Sequence, residues 1–238
     1  MTTTVLLLGL SVVAGAIVQS SVGFGLAVVI APFAIIFAPD LMPGAVITVS
    51  FFLPVIQLLA GPRDIAWRPL LIGLAARLPF TAVGVAVVAL LSTRAIALGV
   101  AVLILVTVAA AVTVIDVRPT DRNAAVAGAI SGISGTAASI GGPFMAIVLR
   151  RLPPTRVRAT LSAFFLVGAA IGLAGLAIGH QLTTGQVFVG LAWVPFLLVG
   201  YAAAAPVRRH LDHARMQRAV LVFCVIAAVS VIVRVVLT

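Results

Sequence analysis

An all-α polytopic membrane protein, made of two inverted repeats that each pair a broken-helix, re-entrant hairpin with three transmembrane helices, is the fold class this sequence predicts. Three observations lead to it. The 238 residues are 63% hydrophobic and 8% charged, against the quarter of charged residues usual in soluble domains. Two uncharged stretches, Gly15 to Gly25 and Gly128 to Gly142, concentrate Gly, Ser and Thr where an ordinary span carries Leu and Val. Motifs of the first half recur, in order, in the second.

Apolar runs fall at about 5–38, 43–60, 69–91, 95–115, 124–149, 159–179, 186–205 and 219–237. Most approach the roughly 20 residues that cross a bilayer as a helix. The N-terminus, Met1-Thr-Thr-Thr, lacks a basic region and a cleavage site, so the first run is expected to be retained and not to serve as a signal peptide. The first and fifth runs are too long for one span and hold the glycine-rich stretches. Glycine weakens a helix and admits unusual backbone angles. Each stretch therefore reads as a helix break, and irregular backbone at membrane depth is tolerated only beside protein or a water-filled cavity.

Gly15-Ala16-Ile17 matches Gly128-Ala129-Ile130, Pro32-Phe33 matches Pro143-Phe144, and Thr48, Ser50 and Phe52 match Thr160, Ser162 and Phe164. Further on, Pro79-Phe80 and Gly84 match Pro195-Phe196 and Gly200, and Arg94-Ala95 matches Arg218-Ala219. Offsets between 111 and 124 residues, in one order, point to an internal duplication. The polar midpoint Asp116 to Arg122 is its seam. The chain thus reads as one membrane domain over 1–238, with repeat 1 at about 1–116 and repeat 2 at about 122–238.

Arginine placement orients the halves. All fifteen basic residues are Arg. If each glycine-rich run leaves on the side it entered, the loops near 63–68, 116–122, 150–158 and 206–218 share one side and carry twelve arginines, and the opposite loops carry only Arg94. If each run crossed once, the division would be four against nine. The excess of Lys and Arg in cytoplasmic loops favours the first arrangement, with both termini outside. The same placement explains the net charge of +10 without nucleic acid, because the arginines punctuate the ends of apolar runs.

Inverted repeats with broken helices hold substrate near mid-bilayer where half-helix ends converge, and N-terminal ends suit anions. The candidates are Gln19, Ser20, Ser21, Gly23 and Gly25 in the first half, and Ser131, Ser134, Gly135, Thr136, Ser139, Gly141 and Gly142 in the second. Close helix packing by small residues is the competing account for any one of them. Arg77 stands out, nine residues beyond Arg68 and so roughly 13 Å into the membrane. An Arg at mid-span costs about 2.5–3.5 kcal/mol on insertion scales and therefore faces a cavity or a partner. No apolar run contains an acid to pair with it. Arg77 reads as the counter-charge for a bound anion, and its repeat equivalent is Trp193, which makes the site asymmetric. Capping of carbonyls at a glycine break is the alternative. Gln57 is a further candidate, set against an interhelical hydrogen bond. Thr48, Ser50, Thr160 and Ser162 are weighed against bonding to their own backbone.

Little points to other chemistry. Cys224 has no second cysteine to pair with, His210, Asp212 and His213 sit in a basic loop, and no metal or cofactor signature occurs. There is no Glu, and the five aspartates lie near loops, which argues against an intramembrane carboxylate relay. Catalysis would ordinarily show paired carboxylates, a metal cluster or an activated nucleophile at depth, so an enzyme is disfavoured.

The paired glycine-rich hairpins ending in Pro-Phe, the two-half layout and the length resemble the sulfite exporter TauE/SafE family of membrane permeases across essentially the whole chain. The resemblance implies transport of small sulfur-containing anions, such as sulfite, thiosulfate or sulfoacetate, across a prokaryotic inner membrane. Gln19-Ser-Ser-Val-Gly-Phe-Gly25 departs from the more glycine-dense form of that family. The expected partners are a small anion and the lipid bilayer; monomer and homodimer stay open. The expected mechanism is alternating access in the export direction. A passive anion channel, or an importer of another small anion, would use the same residues.

Overall fold

The computed structural model describes residues 2–61, 64–112, 117–210, 222 and 225–235. Among the described residues the chain is helical and contains no strand. Helices α1 (Thr2–Val22) and α2 (Leu26–Phe37) are followed by a short 3₁₀ turn at Pro39–Leu41, then α3 (Gly44–Ala60), α4 (Trp67–Leu90) and α5 (Thr93–Val112). After the midpoint come α6 (Asp121–Ala137), α7 (Gly142–Leu149), α8 (Pro154–Ile178), α9 (Thr184–Ala192), α10 (Val194–His210) and α11 (Val225–Val235). Among the described residues four segments are long and apolar enough to cross a bilayer: Thr3–Val22, Trp67–Leu90, Pro154–Ile178, and Thr184–Pro206, which joins α9 to α10.

Both glycine-rich runs are broken, and unequally. Helix α1 has 21 residues, roughly 31 Å at helical rise, and α2 has 12, roughly 18 Å. In the second half α6 has 17 residues and α7 has 8, roughly 25 and 12 Å. Each run is therefore a long arm folded onto a short one. The first break needs its glycines: Gly23 has φ 100° and Gly25 φ 127°, angles that a residue with Cβ adopts only at a cost. In the second break Ser139 takes φ 62° and its hydroxyl donates to the Pro43 carbonyl at 3.2 Å. The Ser131 hydroxyl donates to the Gly141 carbonyl at 2.6 Å, which ties α6 to the start of α7.

Packing between the halves is reciprocal. Helix α4 lies along α6 and α10 lies along α1, while α3 packs on α8. Helix α3 also meets α9, as α4 meets α8. Small residues permit these close approaches. A Cβ on Gly84 would sit 2.9 Å from the Ile133 carbonyl of α6, and one on Gly200, aligned with it in the sequence comparison of the halves, 2.5 Å from the Val13 carbonyl of α1. Gly73 and Gly128 bring the backbones of α4 and α6 together in the same way.

The loops gather at two ends. At one, Arg68 makes a two-pronged pair with Asp121 at 3.0 and 2.6 Å, Arg156 lies 3.5 Å from Asp64, and the Thr160 hydroxyl accepts from the Ala66 N–H at 2.9 Å. At the other, Gln186 donates to the Asp40 and Met42 carbonyls, Arg94 donates to the Val235 carbonyl and Arg234 to that of Ile36. Helix α4 separates the two sets by 24 residues. Arg63, Arg215, Arg218, Asp116, Asp212, His213 and Cys224 lie outside the described residues, as do the side chains of Arg208, Arg209 and His210.

One division escapes the sequence reading. The run 186–205 is split at Trp193, between α9 and α10. Thr183 starts α9 with a capping box closed by Gln186, and the fully buried Trp193 indole donates to the Val5 carbonyl of α1 at 2.9 Å. The matching Pro79 sits inside an unbroken α4.

Candidate anion site

Where the two hairpin tips meet α3, α4 and α8 there is a cavity of about 60 Å³. By the measure in which one water needs about 10–15 Å³, it holds a few waters or one small oxyanion. Its wall includes Gln19, Phe24 and Gly25 from the first break, Gly135, Ser139, Gly141 and Gly142 from the second, Ile47 and Ser50 from α3, Arg77 from α4, and Phe165 and Ala169 from α8. Seven of the residues singled out in the sequence thus share one wall.

Arg77 is 4% exposed, and its Nε has no hydrogen-bond partner among the described residues. Its guanidinium carbon stands 5.2 Å from the centre of the Phe164 ring. Three glycines stand close around it. A Cβ on Gly135 would come within 2.7 Å of Nη2, one on Gly141 within 3.2 Å of Nη1, and one on Gly168 would strike Nη1 and Nε. The described acids Asp40, Asp64 and Asp121 lie at the loop ends and none lines the cavity. An arginine so placed keeps its fork of donors for an oxyanion.

Two helix starts face the same space. The first turn of α2 contributes Ala27 and Val28, and the first turn of α7 contributes Gly142 and Pro143. Opening N–H groups of a helix lack intrahelical acceptors and carry partial positive charge. One of them is already used: the Leu26 N–H donates to Oε1 of Gln19 at 3.1 Å.

The remaining candidates lie elsewhere. Ser20 and Ser21 are buried in α1 away from the cavity wall, and the Ser21 carbonyl accepts from Arg158 at 3.3 Å. Gly23 faces Leu161 and the Arg158 stem. The Ser131 hydroxyl serves the tie to Gly141, and that of Ser134 bonds back to the Ile130 carbonyl. Thr136 faces Gly84 and Gly172 at helix seams, and its hydroxyl has no partner among the described residues. The Gln57 Oε1 accepts from the Ser162 hydroxyl at 3.0 Å and joins α3 to α8. Thr48 and Thr160 bond back to the Gly44 and Arg156 carbonyls. Ser50 is different, because it stands on the cavity wall and its buried hydroxyl oxygen has no partner among the described residues.

Sequence reasoning did not reach Phe24, Phe165 or Gly168. For Gly168 a signal existed in the run Gly168, Gly172, Gly175, a small-residue stripe at helical spacing. The two phenylalanines flank the position of Gly142 and carry no local signature.

Fold and cavity define a class: a multi-pass helical membrane protein with a polar recess between two broken helices. Residues 7–231 match the family described as sulfite exporter TauE/SafE, and the chain belongs to that family. Its membership makes it a membrane transport protein of the sulfite-exporter type. No curated protein and no solved structure matches it.

Proposed function

We propose that this protein exports a small sulfur oxyanion, held at Arg77 between the two hairpin breaks, by alternating access of two inverted repeats. The observation that carries the reading is the buried Arg77, its Nε without a hydrogen-bond partner, in a cavity that no acid lines among the described residues. Reciprocal packing of α4 on α6 and α10 on α1 supports the inverted duplication, because a two-fold relation exchanges each helix with its counterpart. The gathering of Arg68, Arg122 and Arg156 at one end of the bundle supports a cytoplasmic assignment for that end. The cavity's size favours sulfite or thiosulfate over sulfoacetate, which has roughly twice sulfite's heavy atoms and would need the space to widen. Bound substrate touches Arg77, Gln19, Gly25, Gly135, Ser139, Gly141 and Gly142 in this reading, all of them on the cavity wall beside Ser50.

An inside-negative potential contributes about 2.3 kcal/mol per charge per 100 mV toward efflux of an anion. Export then requires no carboxylate relay. Purified protein in liposomes tests the proposal directly: sulfite flux should saturate, show counterflow and rise with an imposed potential. Flux that neither saturates nor shows counterflow would identify a passive pore instead.

A further inference from the structure

The cavity is matched to one negative charge and not to two. Among the described residues Arg77 is the only ionisable side chain on its wall. The two helix starts contribute less than their full partial charge: the Leu26 N–H is taken by Gln19, and Pro143, in the first turn of α7, has no N–H to offer. Removing an ion from water costs free energy that grows with the square of its charge, whereas its attraction to a single guanidinium grows only in proportion to the charge. Doubling the charge therefore quadruples the cost and doubles the gain.

A second observation bears on the proton that distinguishes the two forms of an oxyanion such as sulfite. Ser50 stands on the cavity wall, and its buried hydroxyl oxygen has no partner among the described residues. A hydroxyl accepts as well as donates, which the guanidinium and backbone N–H groups do not. Of the wall's three side-chain acceptors among the described residues, the Ser139 hydroxyl already donates to Pro43 and the Gln19 amide oxygen already accepts from Leu26, and the Ser50 hydroxyl has no hydrogen bond of its own. We infer that the site takes its sulfur oxyanion in the singly charged, protonated form, with Arg77 as counter-charge and the acid hydrogen donated to Ser50. This rests on the anion-carrier reading above. The proton travels with the anion, so none has to be passed to a carboxylate that the membrane segments lack.

Calorimetric titration of the purified full chain with methanesulfonate and sulfate tests the inference, because these anions are similar in size and fixed at one and two charges. Methanesulfonate should bind at least about tenfold tighter, equivalent to about 1.4 kcal/mol. The apparent affinity for total sulfite should fall as rising pH converts hydrogensulfite to the dianion. Ser50→Ala should weaken hydrogensulfite binding more than methanesulfonate binding. Sulfate binding as tight as methanesulfonate, or sulfite affinity that rises with pH, overturns the charge selection and leaves an anion site in place. Failure of all three anions to bind removes that site and this inference together.

Discussion

Arg77 is a buried cation whose Nε has no partner among the described residues, so its removal leaves no orphaned acid. Unpaired buried charge is costly. Arg77→Met should therefore melt no lower than the parent protein in anion-free buffer and should lose the upward shift that sulfite gives the parent. Equal sulfite stabilisation of both would detach Arg77 from the site. Glycines around it behave oppositely to Gly99, which faces open space. Gly168→Ala would drive a methyl into the guanidinium and should weaken anion binding by about tenfold, 1.4 kcal/mol. Gly99→Ala meets nothing within 4 Å and should raise stability by about 0.5–1 kcal/mol through helix propensity. Unfolding curves and titrations on both variants compare the two effects. Arg77 was legible because a charge in an apolar run has few explanations. Gly168 was not, since its importance lies in what α4 sets against it.

At the scale of elements, the breaks are held by a few hydrogen bonds. The Ser131 hydroxyl bonds the Gly141 carbonyl across the second break, so Ser131→Ala should lower stability by about 1 kcal/mol and loosen the start of α7. Hydrogen exchange over 138–145 measures the loosening; unchanged protection there would show that the bond does not hold the break. Composition located both breaks, because Gly23 and Gly25 take angles that other residues resist. The unequal arms were hidden, since a helix continues for as long as its neighbours cover it. Pro79 and Pro195 make the same point: matched in sequence, the first stays within a continuous helix and the second follows a division at Trp193. What differs is the tertiary contact, an indole reaching Val5 in one half and a guanidinium facing a cavity in the other.

For the whole molecule, the duplication and the arginine bias make a claim about sides. With Cys224 replaced by Ala, cysteines introduced at Gly185 and Arg122 report on opposite ends of the bundle. A membrane-impermeant thiol reagent should label Gly185→Cys in intact cells and Arg122→Cys only after permeabilisation. Labelling of both from one side would contradict the inverted arrangement. The ion pairs Arg68–Asp121 and Arg156–Asp64 at the arginine-rich end are exposed or half-exposed; surface pairs contribute about 0–1 kcal/mol. Asp121→Asn should accordingly leave flux unchanged within error, and a large loss would show that this end moves as part of transport.

Amino-acid order by itself determined that the chain lives in a bilayer, that its two glycine-rich runs break, and that one cation lies deep without an acid beside it. These follow from local chemistry: apolar length, glycine's backbone freedom, and the cost of a charge in hydrocarbon. Only the tertiary structure decided which small residues line the recess and which merely let helices touch. Gly128 and Gly132 went to the seam with α4, while Gly135 and Gly141 went to the guanidinium. The reason is geometric: Gly128, Gly132 and Gly135 share one face of α6 and meet α4 at successive heights, main chain and Phe80 at the first two and the Arg77 side chain at the third, while Gly141 reaches the same guanidinium from the start of α7.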